Sequence, residues 1–230
     1  MHEQAIHHTK EELRVEVFNK VFKYMFFGLL LSVAAGYLAL NTSLRNYIFS
    51  GYVFIGLLIF EVLLVFFISA RLGKMSYGAS LNLFFLYSFV NGLTLSVIFV
   101  IYTVGSILNA LGATALLFGI MAFVGYTTKK DMSKLGPILL IGLITIIIMG
   151  VVNWFLQNPL IYWIVTIVGI LIFLGLTMYD VNRINKWINS GRVKTQNDIE
   201  IIAISGALSL YLDFINLLLL ILRLLGKRRR

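Results

Sequence analysis

The stretch IEIIAISGALSLYLDFINLLLLILRLL, Ile199 to Leu225, decides the fold. A helix needs about 20 mostly apolar residues to cross the hydrocarbon of a bilayer, and this run is long enough. It nevertheless carries Asp213 and Arg223 among its leucines and isoleucines. Insertion scales put the cost of such a residue near a helix centre at about 2.5–3.5 kcal/mol. Ionisable groups in this position usually face other helices or a water-filled cavity, so the segment is expected to be enclosed by protein.

Six more runs of the same kind precede it: Val21 to Leu40, Tyr47 to Ala70, Ala79 to Tyr102, Gly105 to Tyr126, Leu135 to Leu156 and Leu160 to Val181. Apolar residues make up 60% of the 230 and charged residues 13%, with a mean hydropathy of +0.93. A soluble domain is nearer 45–50% apolar and about a quarter charged. The reading is an all-α membrane protein with seven transmembrane helices. It divides into a polar N-terminal tail (1–20), one transmembrane domain (21–226) and a basic tail (227–230). Both prolines, Pro137 and Pro159, fall near helix starts, where a missing N–H costs little. Glycines inside the spans, among them Gly92, Gly112, Gly119, Gly142, Gly169 and Gly206, suit close helix packing.

The net charge of +9 belongs to loops facing headgroups, not to nucleic acid. With the N-terminus inside, Lys10, Arg14, Lys20, Lys23, Arg71, Lys74, Lys129, Lys130, Lys134, Arg183, Lys186, Arg192 and Lys194 are internal. Only Arg45, Arg223 and the tail Lys227 to Arg230 are external. That asymmetry predicts a cytoplasmic N-terminus. The same topology sends the KRRR tail outside, against the rule, unless the last segment fails to cross.

Cysteine is absent, which excludes disulfides and thiolate chemistry. The histidines, His2, His7 and His8, lie in the N-terminal tail, and no HExxH, GxGD or Ser–His arrangement occurs. No catalytic role and no resident cofactor are expected. Trp154, Trp163 and Trp187 lie near span ends and read as headgroup anchors.

The ionisable residues within or beside spans are the candidate site. Glu61 and Arg71 are ten residues apart in span two, and Asp213 and Arg223 ten apart in span seven. Ten helical residues rise about 15 Å and return to within about 80° of the starting direction, so each pair shares a broad face. In antiparallel spans, Arg71 meets Asp213 at one level and Glu61 meets Arg223 at another. Asp180, at the inner end of span six, adds a third carboxylate near Asp213. Such a pair titrates as a unit and suits a proton-sensitive latch. Two carboxylates also form an oxygen-rich, anionic site with some affinity for Ca²⁺. Asp131, Asp198 and Glu200 read as solvated loop or helix-end residues.

The segment ALSLYLDFINLLLLILRLLG, Ala207 to Gly226, resembles the terminal signature of the transmembrane Bax-inhibitor-motif family, the Bax inhibitor 1-like proteins. In order, FEVLL from Phe60, SFVNGLTL from Ser88, KKDMS from Lys129 and MYDVNRI from Met178 resemble it too. The short tails resemble the bacterial branch. The resemblance implies six helices around a central C-terminal seventh, and a pH-sensitive Ca²⁺ leak with Ca²⁺ as permeant and regulatory ion. It implies a di-aspartyl sensor at Asp180 and Asp213, with Arg71 as basic partner and Glu61 and Arg223 as the charged residues of spans two and seven. The basic cluster at Arg71 is thin, with only Lys74 following. A second implied role is regulatory, through binding of the membrane protease FtsH. The expected location is the bacterial cytoplasmic membrane.

Overall fold

The computed structural model describes residues 9–191 and 193–229. His2, His7, His8, Arg192 and Arg230 lie outside the described residues. The described residues form eight α-helices: α1 (Lys10–Asn41), α2 (Leu44–Ile48), α3 (Gly51–Arg71), α4 (Tyr77–Ile101), α5 (Val104–Thr127), α6 (Leu135–Leu156), α7 (Pro159–Asn189) and α8 (Gln196–Leu225). All but α2 are long and apolar enough to cross a membrane, which makes the expected seven.

Two ends differ from the hydropathy reading. α1 starts at Lys10 rather than Val21, because Thr9 and Glu12 form a reciprocal capping box there. Val17 and Phe18, within the expected tail, are buried. α7 runs past Val181 to Asn189, because its polar residues find partners: Asn182 and Lys186 in the loop between α5 and α6, and Asn185 in the last turn of α5. Hydropathy marks where lipid begins, and helices continue beyond that wherever their polar side chains are satisfied.

The chain divides into two compact units, Met1–Ile101 with Ile188–Tyr211, and Tyr102–Trp187 with Leu212–Arg230. The first packs α1 closely on α4 through small residues. Ser32 Oγ donates to the Ser88 carbonyl (2.7 Å), and Gly36 faces the Gly92 carbonyl. Tyr211, from the first half of α8, is fully buried with its ring edge-on to both Phe84 and Tyr87 at 5.9 Å.

The second unit is built the same way. Gly125 of α5 lies against the Met178 backbone and Val181 of α7, and Gly169 of α7 against Leu220 of α8. Phe118 and Phe214 meet edge-to-face at 5.4 Å. The α6–α7 turn uses Gln157 at φ 50°, and Asn153 Oδ1 accepts from the Asn158 N–H (2.9 Å). The C-terminal segment docks at the start of α5. Thr103 N donates to the Lys227 carbonyl (3.2 Å), Lys227 N donates to Ser106 Oγ (2.9 Å), and Tyr102 pairs with Arg228. Arg223 meanwhile stacks over Tyr162 near the start of α7. Within this unit the end of α8 therefore shares one end with the start of α5 and the α6–α7 turn. α8 is thus long and apolar enough to cross, and its basic tail docks within this unit.

Burial is uneven in a way only a lipid solvent explains. α6 buries none of its residues, yet Ile141, Ile147 and Phe155 stand exposed on it. α8 is the most buried span, at 56% of its apolar window. In water a helix like α6 would aggregate, whereas in hydrocarbon its apolar surface is already solvated.

Candidate functional site

Asp180 stands on α7 one turn before Arg183, and the two form an ion pair at 3.2 Å. That i, i+3 spacing puts both side chains on the same strip of helix. The Arg183 guanidinium also lies over the Trp187 ring (4.9 Å) and the Tyr179 ring (5.7 Å), which orients it along α7. Asp213 comes from α8 in the same unit and lies within Coulombic reach of both Asp180 and Arg183. Both aspartates are buried, at 7% and 4% exposure. The Asp213 Oδ2 atom has no hydrogen-bond partner among the described residues. Two carboxyls and one guanidinium are thus held together by α7 and α8. In the sequence Arg183 reads only as a topology charge, although its spacing from Asp180 carries the signal.

Below this cluster α7 grips the α5–α6 loop. Asn182 Nδ2 donates to the carbonyls of Thr128 and Lys130, and its Oδ1 accepts from Met132 N. Asn185 Nδ2 donates to the Tyr126 carbonyl (3.1 Å), and Lys186 binds Asp131 (2.8 Å). The Lys186 ammonium beside the exposed Asp131 holds that carboxyl below the usual carboxylate range. The loop beneath the aspartates is therefore tied to the helix that bears Asp180.

The other predicted residues fall differently. Arg71 is exposed at the end of α3 with its guanidinium 5.9 Å from the Phe67 ring. It belongs to the first unit and the aspartates to the second. Glu61 and Arg223 are likewise assigned to different units. Glu61 is buried and accepts on both oxygens, from Thr94 Oγ1 (2.6 Å) and Asn91 Nδ2 (3.2 Å). Asn91 Oδ1 in turn accepts from the Tyr211 hydroxyl (2.8 Å), which lies 2.6 Å from Ser32 Oγ. One hydrogen-bonded chain thus joins α3, α4, α8 and α1. Sequence reading misses Asn91, Thr94, Tyr211 and Ser32, because polar residues within a span read singly as packing.

Glu200 also departs from its solvated reading. It pairs with Lys20 and accepts from the Tyr24 hydroxyl (2.6 Å), which lies 3.2 Å from the Tyr77 hydroxyl. Asp198 caps the start of α8 by accepting from the Lys194 and Thr195 N–H groups, each at 2.9 Å.

Seven long apolar helices with ionisable groups buried between them define a polytopic helical membrane protein. Residues 14–230 match the family model described as inhibitor of apoptosis-promoting Bax1, and the chain belongs to this Bax inhibitor family. It is 41% identical over 212 residues to the inner membrane protein YbhL of Escherichia coli K12, covering 91% of each chain. A Borreliella burgdorferi protein is 41% identical over 230 residues, covering 96% of this chain and 97% of its own. An uncharacterized membrane protein of Streptococcus pyogenes serotype M1 is 31% identical over 217 residues, covering 92% and 93%.

Proposed function

We propose that this chain forms a gated, pH-sensitive Ca²⁺ leak, with Asp180 and Asp213 as the proton-sensitive latch. The supporting observation is the burial of both aspartates beside one guanidinium, with Asp213 Oδ2 unpartnered. Such a cluster titrates as a unit, and each proton bound changes the charge that α7 and α8 must accommodate between them. Arg183 supplies the cation of the latched arrangement, and protonation loosens its hold on Asp180. The burial of α8, the highest of the seven spans, supports it as the central and moving helix of this reading. Ligand exchange at a buried carboxyl with a free oxygen gives a permeating cation a place to pause.

The donor set argues for transit over storage. Ca²⁺ takes six to eight oxygens, and two carboxylates offer at most about four. Arg183 competes for the same oxygens. Among the described residues no group of three or more carboxylate, histidine or cysteine side chains is placed to hold a metal. Ca²⁺ is therefore cargo in this reading, and no catalytic step is assigned. The bacterial cytoplasmic membrane is the proposed location, with the N-terminus inside as the lysine and arginine distribution favours.

The test is the purified chain in liposomes loaded with a Ca²⁺ indicator. Wild type is expected to change its leak rate from about pH 6 to about pH 8, and Asp213→Asn to lose that dependence. Identical pH profiles for the two proteins would sink the latch.

A further inference from the structure

We propose that the cleft between α6, α7 and the end of α8 holds the phosphate of an anionic phospholipid. The cleft has a volume of about 460 Å³, within the range of about 300–1,000 Å³ typical of small-molecule sites. Asn153, Trp154, Gln157, Tyr162 and Arg223 line it. Arg223 lies 5.0 Å from the Tyr162 ring centroid. A guanidinium held over a ring keeps its N–H donors in its own plane, where they suit two phosphate oxygens at once.

Charge supports an anion here. Arg223 is followed within two turns by Lys227, Arg228 and Arg229, and the Lys227 backbone is tied to Thr103 and Ser106 at this same end. The described acids of this unit are Asp131, Asp180 and Asp213. Asp131 belongs to the loop at the far end, and Asp213 precedes Arg223 by ten residues, about 15 Å of helix. Asp180 pairs with Arg183. Among the described residues of its own unit, the basic group therefore has no side-chain carboxylate to neutralise it.

The surroundings select a lipid over a free anion. Trp154 lines the cleft and is 75% exposed, and amphipathic rings such as its indole sit at headgroup depth. α6, which forms one wall, presents the exposed Ile144 and Ile147 in the two turns before Gly150. An acyl chain can lie along that face while the phosphate meets Arg223.

Native mass spectrometry of the full chain in detergent, with phosphatidylglycerol or phosphatidylcholine added, tests the site. Phosphatidylglycerol should be retained at least about fivefold more than phosphatidylcholine, because each basic residue at the surface favours an anionic lipid by about that factor. Arg223→Gln removes the donors. Gly150→Phe fills the cleft from a position where an added Cβ meets nothing within 4 Å. Both variants are expected to retain phosphatidylglycerol only at the phosphatidylcholine level. Retention unchanged in either variant overturns the proposal, as does equal retention of the two lipids. Displacement of bound lipid by an equal concentration of glycerol 3-phosphate also overturns it, since the site would then recognise the headgroup alone.

Discussion

At the residue scale, the two oxygens of Glu61 accept from two different donors, and this determines which substitutions it tolerates. In Glu61→Gln the new amide oxygen accepts from Asn91, and the new amide N–H donates to Thr94. The single Thr94 hydroxyl proton, given to Glu61 in the wild type, then turns to the Asn91 carbonyl 2.9 Å away. The hydrogen bonds of Asn91 and Thr94 are kept, so the expected loss in a detergent unfolding titration is below about 1 kcal/mol. Glu61→Leu orphans the Asn91 amide and should cost about 1–3 kcal/mol. Equal losses for the two variants would mean that charge, not hydrogen bonding, holds Glu61 in place. Asp213 lacks such a set of partners, and this makes it the better candidate for a group that changes state.

At the scale of elements, the glycines separate into two kinds that the sequence treats alike. A Cβ on Gly92 would lie 2.6 Å from Ser32 Cα and 2.8 Å from Ala35 Cβ, so α1 and α4 cannot keep their spacing. Gly92→Ala is expected to destabilise by about 1–3 kcal/mol, read as a lowered melting temperature in detergent. A Cβ on Gly112, inside α5, meets nothing within 4 Å. There Ala should be neutral or stabilising by up to about 1 kcal/mol, from helix propensity alone. A Gly92→Ala protein that melts like wild type would show that the α1–α4 contact is looser than its geometry. Helix ends obey the same logic of partners. α7 extends beyond its apolar run because Asn182, Asn185 and Lys186 are bonded to the end of α5 and the loop after it, which hydropathy cannot register.

At the scale of the whole molecule, the absence of cysteine makes topology directly measurable. Single cysteines introduced at Gln157 and Arg229 should react with a membrane-impermeant maleimide from the same side of the membrane. A cysteine at Lys129 should react only from the opposite side. With a cytoplasmic N-terminus, the first two are external. Labelling of Gln157→Cys and Arg229→Cys from opposite sides would mean that α8 does not cross. If α8 crosses, the basic tail breaks the loop-charge rule for a local reason. Its backbone is held at the start of α5 by Thr103 and Ser106, and the other loop charges carry the orientation.

Composition and hydropathy were enough to determine that the chain is a helical membrane protein with seven helices able to span. Lipid imposes a single requirement of about 20 apolar residues per crossing, and that requirement is local in sequence. Ordered motifs such as MYDVNRI and LYLDFIN were enough to identify the family, because they lie in the linear chain. Asp180, Asp213 and Glu61 were legible too, since a charge inside an apolar run stands out by its cost alone. Their partners were not. Arg183 beside Asp180, and Asn91, Thr94 and Tyr211 beyond Glu61, are ordinary residues until helices far apart in sequence are packed together. The same holds for Arg223, which stands out in sequence as a costly charge in the seventh span. Only the packing of α6, the start of α7 and the end of α8 makes it part of a cleft, because a cavity belongs to no single segment.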